Sequence, residues 1–573
     1  MKSLLCLLTL VIFLAGCTKD IDILHPDPFF PNQETFVSPL FIEVFNVDGT
    51  PLPNSRILLG GREAFTDANG LVYLNDAIVG ESAYLTVEKD GFFPASRRFY
   101  PAKGKAHYVK IIMLSNARIA FFNAKDGAIL PVEDHATIKF PQGGYVLGNG
   151  DSYDGIVLIS AKSISADDPD LSSKMPGDLV GINNTGQFGA LGSLGMLAVE
   201  MKTPEGEEVK FDKGVEAIIE MIIPSTLADK VPATIPLWYF DIHDGIWKQE
   251  GMAERVGDRY KGSVSHFSFW NCDVFYESIF WRSTYVFEDG SPVAQAYVCI
   301  TIENLGLSRC AYTDLQGSIG GYVAANEILR IKVLGRCGQE IYNVESGPFS
   351  TETSLGPVTL SDPNQFSQVS GYAVDCDLKP LVNGYVKIST GKATYFLVPD
   401  ITNGYFEGIV SSCTTGSIGL LSYNPEEETF SKPLFKPFAP EVYADTLFTC
   451  DLLDEYAVIE IEGFPIPLFY DSLSMGYDKN TFIRATVDGE VKFGLSFRGN
   501  TVGQYYSADE STFRGYIDLI QIRNAGPLSI TVEKYGKVGE YIKGTFQGKV
   551  TTSELNFIPE YEMKGSFSVL REK

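Results

Sequence analysis

Histidine is scarce in this chain: five residues in 573, at His25, His107, His135, His243 and His266. None stands in H-x-x-x-H or H-E-x-x-H, so no metallopeptidase helix is written here. His266 lies in a strand pattern close to Trp270 and reads as a core or capping residue. Cysteines in C-x-x-C spacing are missing, which removes the common zinc sites. No G-x-S-x-G elbow surrounds Ser152, Ser193, Ser318 or Ser417, and no G-x-x-x-x-G-K-[ST] phosphate loop occurs. Basic blocks are also lacking. Lys and Arg total 46 against 72 Asp and Glu, a net charge of −26. That balance argues against a nucleic-acid partner and suits a protein kept dispersed in solution. After Leu14 no apolar run reaches ~18 residues, so no later segment is a candidate membrane span. The sequence predicts no catalytic residue, no metal site, no cofactor and no enzyme.

What is present begins at the front. Lys2 precedes an apolar run, Leu4 to Leu14, broken only by Thr9, and then comes Leu14-Ala15-Gly16-Cys17. A charged start, a short apolar stretch and small residues form a secretory signal. The last four residues resemble the bacterial lipobox. The resemblance implies cleavage after residue 16 and acylation of Cys17, with several acyl chains giving stable attachment. Asp20 and Asp22 resemble the export signal of Bacteroidetes surface lipoproteins, which implies a lipid-anchored protein of the outer membrane. The surface leaflet is expected, with the periplasmic leaflet as the alternative. Pro26, Pro28 and Pro31 mark residues 17–37 as a tether.

Beyond the tether, Gly 55, Pro 30, Phe 38 and Tyr 29 favour short strands with frequent turns. The fold class expected is all-β: tandem small β-sandwich modules, a larger β-sandwich domain and a C-terminal β domain. One heptapeptide turn recurs. Asn46-Val47-Asp48-Gly49-Thr50-Pro51-Leu52 aligns with Phe287-Glu288-Asp289-Gly290-Ser291-Pro292-Val293, and less closely with Asp375-Cys376-Asp377-Leu378-Lys379-Pro380-Leu381. A second turn, Thr66-Asp67-Ala68-Asn69-Gly70, returns as Thr313-Asp314-Leu315-Gln316-Gly317 and as Asp400-Ile401-Thr402-Asn403-Gly404. In it the Asp can accept backbone N–H groups two residues on, and Gly supplies a positive φ. These repeats place modules at 38–114, 283–361 and 368–450, read as beads of one domain type. The two turns resemble those of the carboxypeptidase regulatory-like family. That resemblance implies a transthyretin-like β-sandwich without catalysis, since the fold unit is separate from the peptidase domain.

Residues 115–273 differ in texture. Gly192–Met201 and Val209–Phe211 read as a hairpin, Ala217–Ile223 as a strand stopped by Pro224, and Trp238-Tyr239 with Trp247 as a hairpin around Asp244-Gly245. The Trp-Tyr-x-Asp…Gly-x-Trp pattern and the closing His266-Phe267-Ser268-Phe269-Trp270 resemble the extracellular sandwich of cartilage intermediate layer proteins and their relatives. Residues 451–573 form the last domain, with Gly544–Gly548 and Gly565–Val569 expected as paired strands. The terminal strand's loss should expose an edge.

Three groups of residues remain as site candidates. Seven cysteines (Cys272, Cys299, Cys310, Cys337, Cys376, Cys413 and Cys450) read as disulfide formers in an oxidising compartment. Cys299 and Cys310 flank a turn near Leu305, Cys337 competes for either, and an odd number leaves one thiol over. Trp238, Trp247 and Trp270 offer either rings for stacking on a sugar or an aromatic core. Asp151, Asp154, Asp167, Asp168, Asp170 and Asp178 form solvated loops or a weak structural calcium site. The function expected is a non-catalytic binding or scaffold role, adhesin-like, with a protein or glycan ligand. The alternatives are a glycan-binding lipoprotein of a nutrient-uptake system and a hydrolase with its site in 115–273.

Overall fold

A computed structural model describes residues 26–571, apart from residues 68, 362–365, 391–392, 412–415, 426, 428, 453–455, 462–467, 471–472, 479, 488–489, 507–512, 518–519, 539 and 553–559. The signal segment 1–16, Cys17, His25 and Cys413 therefore lie outside the described residues. The chain is all-β, as its strand periodicity predicts. Among the described residues one four-residue helix occurs, Leu171–Lys174.

The first module shows how the pattern becomes a sandwich. In the strand Phe36–Asn46, Leu40, Ile42 and Val44 point to one face and enter a core with Ile57, Leu85 and Val109. This strand is the middle of a three-stranded sheet, antiparallel to Leu71–Val79 and parallel to His107–Met113. A four-stranded sheet faces it, in the order Arg62–Phe65, Arg56–Leu59, Ala83–Glu88, Ala95–Phe99. The arrangement recurs twice. Ser278–Phe287 is central between Ser318–Ala324 and Thr353–Leu360, and Phe366–Val374 between Tyr405–Ser411 and Glu441–Phe448.

The repeated turns fix this topology. Asp67 Oδ1 accepts N–H bonds from Asn69 at 2.8 Å and Leu71 at 3.0 Å, and Asp314 Oδ1 does the same for Gln316 and Ser318, both at 2.8 Å. Gly70, Gly317 and Gly404 each offer their carbonyl to the central strand, at Val44, Tyr285 and Ala373, all at 2.8 Å. Gly70 has φ +69°, and a Cβ there would lie 2.6 Å from the Val44 oxygen, so no other residue fits without movement. The heptapeptide turn explains why the third copy looks degenerate. Gly49 and Gly290 have φ +80° and +83°, and Leu378 holds the matching position at φ +63°. A leucine there carries strain that the glycines avoid.

The larger domain is one curled sheet of eleven strands around a core that includes Ile159, Leu197, Ile219, Leu237 and Trp270. Ala217–Ile222 is a strand, with Ala217, Ile219 and Met221 buried on one face. Thr234–Asp241 and Ile246–Val256 pair across the Asp244-Gly245 turn. The turn expected between Gly192–Met201 and Val209–Phe211 forms, with Thr203 N–H donating to the Glu207 carbonyl at 2.8 Å and Lys202 bridged antiparallel to Glu208, but the ladder stops there. Phe188–Lys202 spans the sheet, while Val209–Phe211 leaves it to pair with Tyr145–Leu147. In the last domain Tyr541–Thr552 pairs with Glu560–Leu570, Gly544 opposite Phe567 and Phe546 opposite Gly565. Glu560–Leu570 also pairs with Tyr456–Ile461. The final strand is internal, and its loss would split the sheet rather than uncover one edge.

The beads expected from the repeats are packed on one another, and the first module touches every other domain. Its three-stranded sheet is covered on both faces, because the rings of Phe41, Tyr73 and Tyr108 are buried on the side away from its own core. These rings join Tyr385, Phe396, Tyr423 and Phe430 of the third module in one buried cluster, with Phe41 stacked on Phe396 at 5.7 Å. Toward the second module, Leu315 N–H donates to the Ala106 carbonyl at 2.9 Å, and Tyr108 meets Tyr312 edge-on at 5.2 Å. Toward the last domain, Thr50 and Asp48 bond the Gln547 amide, each at 2.6 Å. Toward the larger domain, Tyr84, Phe93 and Leu114 join Trp238, Phe240 and Trp247 in one buried cluster, beside which the docked N-terminal segment is held by an ion pair. Arg98 and Asp27 form a fully buried ion pair. The guanidinium also donates to the carbonyls of Asp244 and Gly245 at 3.0 and 3.1 Å, under the rings of Phe29, Phe30 and Tyr84. The proline-rich stretch expected as a free tether is therefore docked from Pro26 onward. Pro26 O accepts the Tyr84 N–H at 2.8 Å, and Phe29 stacks on Phe188 at 5.9 Å.

Candidate functional site

Two sets of sequence candidates resolve into structure. Cys299 and Cys310 sit directly opposite each other on Tyr297–Ile302 and Leu307–Tyr312 and form a disulfide. Cys337 is also disulfide-bonded. Cys272 is not: it lies inside the larger core, its Sγ 3.6 Å from Met221 Sδ, and burial pushes its thiol pKa well up, so it is an inert apolar filler. Cys376 is an exposed free thiol. Trp238, Trp247 and Trp270 are each 0% exposed, so none can stack on a sugar. Their alternation puts them on inward faces, where Trp238 Nε1 donates to the Asp273 carbonyl and Trp270 Nε1 to the His266 carbonyl, both at 3.0 Å. His266 packs against Trp270 and Tyr239. Of the acidic loop residues, Asp154 pairs with Lys125, Asp168 with Lys174 and Asp178 with Arg309, while Asp151 and Asp167 take bonds from Asn149 and Ser165. Among the described residues no three His, Cys, Asp or Glu side chains converge as a metal site.

One constellation was not legible as a motif, because three domains contribute to it. A cavity of about 120 Å³ lies where the first module, helix Leu171–Lys174 with Asp178 just after it, and the second module meet. Arg97 and Tyr100 approach it from the first module, Asp178 from the larger domain, and Arg282, Arg309 and Tyr312 from the second. Asp178 binds the wall together: Tyr100 donates to it at 2.9 Å and Arg309 forms an ion pair with it. Arg309 also donates to the Tyr322 carbonyl, and Cys310 N–H donates to Ser172 Oγ at 2.8 Å. Arg97 is less well served. Its Nη1 is 3.4 Å from the Gly177 carbonyl, and its buried Nη2 has no hydrogen-bond partner. Burial, offset in part by Asp178 and Tyr297, lowers the Arg97 pKa to about 10. His107, in the same wall, is pushed down to about 4 by burial and is neutral at pH 7.

A scan against family models finds no match. Cartilage intermediate layer protein 2 of Mus musculus is 25% identical over 224 residues, which cover 36% of this chain and 19% of that protein. The chain thus spans about a fifth of the length of the curated relative it matches. Among solved structures, a streptococcal ancillary pilin aligns with 39% of this chain and 94% of its own at 11% identity and a TM-score of 0.13. The major pilin subunit BcpA of Bacillus cereus aligns over 72% and 100% at 10% identity and a TM-score of 0.11. A DUF3823 family protein from Bacteroides ovatus aligns over 37% and 100% at 11% identity and a TM-score of 0.12.

Proposed function

We propose that this protein is a non-catalytic scaffold of the bacterial outer membrane, anchored by a lipid on Cys17 and presenting five β domains as one body. The observation that carries the reading is the first module's set of contacts: it is bonded to each of the other four domains, through Phe41, Gln316, Gln547 and Arg98. Buried polar groups serve those contacts, as Asp27, Arg98 and Asp67 do, and so are committed to holding shape. The docked segment limits the leash. From Cys17 to Pro26 the chain reaches at most ~30 Å at ~3.3–3.6 Å per residue. The lipid would hold this body close to the membrane, and its recognition surface would be the outer faces of the packed domains.

Metabolic labelling with palmitate and fractionation of the envelope test the anchor. The parent protein is expected to incorporate label and stay with membranes, and Cys17→Ser to lose both. Equal membrane retention of the two, with no label in the parent, would overturn it.

A further inference from the structure

We propose that the cavity between the first module, the larger domain and the second module is a binding site for a small organic carboxylate with a ring-sized body. Charge makes the first argument. Five cationic side chains line it, Arg97, Arg98, Lys110, Arg282 and Arg309, against two carboxylates, Asp178 and Asp314. Arg98 is neutralised by Asp27 and Arg309 by Asp178. Arg97, Lys110 and Arg282 have no ion pair among the described residues, and Asp314 is held by the N–H groups of its own turn. A surplus of positive charge inside a chain of net charge −26 is a local feature, not a reflection of composition.

The second argument is the orphan donor. A guanidinium N–H without an acceptor costs free energy, which an anion in the cavity would recover by drawing the Arg97 side chain, already in the wall, toward it. Guanidinium groups present a planar fork suited to a carboxylate. The third argument is size and lining. About 120 Å³ is comparable to an apolar protein cavity of ~150 Å³ that admits benzene. Two further rings in the wall, Tyr297 and Tyr312, stand 4.8 Å apart and supply an apolar flank for a ring. Ala311, one of the lining residues, is exposed to solvent.

Benzoate is the probe. Isothermal titration of the full mature protein with sodium benzoate is expected to give saturable binding, with a rise in Tm. Benzamide, the neutral isostere, is expected to give neither. Arg97→Gln removes the unpartnered charge, so it should fold at least as stably as the parent, and its benzoate affinity should fall about tenfold or more. Arg282→Gln should weaken binding in the same direction. Circular dichroism confirms that both variants are folded. The proposal is overturned by absence of benzoate binding, by equal binding of benzamide, by equal binding of inorganic phosphate, or by an Arg97→Gln protein that binds benzoate like the parent.

Discussion

The Tyr385 hydroxyl donates to the Asp67 carboxylate at 2.6 Å, joining residues 318 positions apart in sequence. Asp67 also organises a turn of the first module, so one side chain serves both a local fold and a contact between modules. Burial raises its pKa to about 6, and the Tyr385 bond acts to lower it. Because the folded value lies above the unfolded one, ionisation of Asp67 weakens the fold as pH rises from about 4 to about 6.

Tyr385→Phe removes a donor from the charged form of Asp67 and leaves its shape. The cost should be about 1–3 kcal/mol at pH 8 and clearly less at pH 4, where Asp67 is protonated. Urea unfolding of parent and variant at both pH values checks this. An equal cost at both would place the effect in packing.

Asp27 and Arg98 are each fully buried, side chain against side chain. Replacing Asp27 by Ala leaves an uncompensated guanidinium and should cost about 3–5 kcal/mol. It should also release the segment that begins at Pro26. Limited proteolysis is expected to cut the variant between residues 26 and 35 under conditions that leave the parent intact.

Leu378 is 69% exposed and left-handed where the sister turns have glycine. Leu378→Gly gives up little packing and relieves backbone strain, offset by glycine's greater freedom in the unfolded chain. A gain of roughly 1 kcal/mol is expected, read as a higher unfolding midpoint. A lower midpoint would mean that the leucine packs on something.

Asp273 lies in the core of the larger domain, takes a bond from Asn271 at 3.0 Å and leaves Oδ1 unpartnered. Burial raises its pKa to about 7. Stability should therefore fall as pH rises from about 4 to about 7. Asp273→Asn should raise Tm at pH 8 and leave it unchanged at pH 4.

Much of the local fold was written in the residues. Ala217–Ile223 read as a strand stopped by Pro224, the Thr-Asp-x-x-Gly turns marked the repeats, and Cys299 and Cys310 flanked a turn short enough to pair them. The domain contacts were harder to read. A sheet buried on both faces shows only as a lapse in alternation, here Leu40-Phe41-Ile42, and that lapse does not name the partner surface. Arg98 looks like any strand-end cation until Asp27 and the rings of Phe29, Phe30 and Tyr84 close over it. Tryptophan identity could not separate core from sugar platform, and burial decided for core. The cavity combines residues from 97 to 323 that no window of sequence brings together.

Small-angle X-ray scattering of the protein beginning at Pro26 tests the hub most directly. With the first module holding all other domains, the radius of gyration should fall near the packed-chain value, about 24 Å for this length. The Asp27→Ala and Tyr385→Phe variants should each exceed the parent. A parent value well above the packed-chain one, the signature of domains strung out in file, would contradict the account.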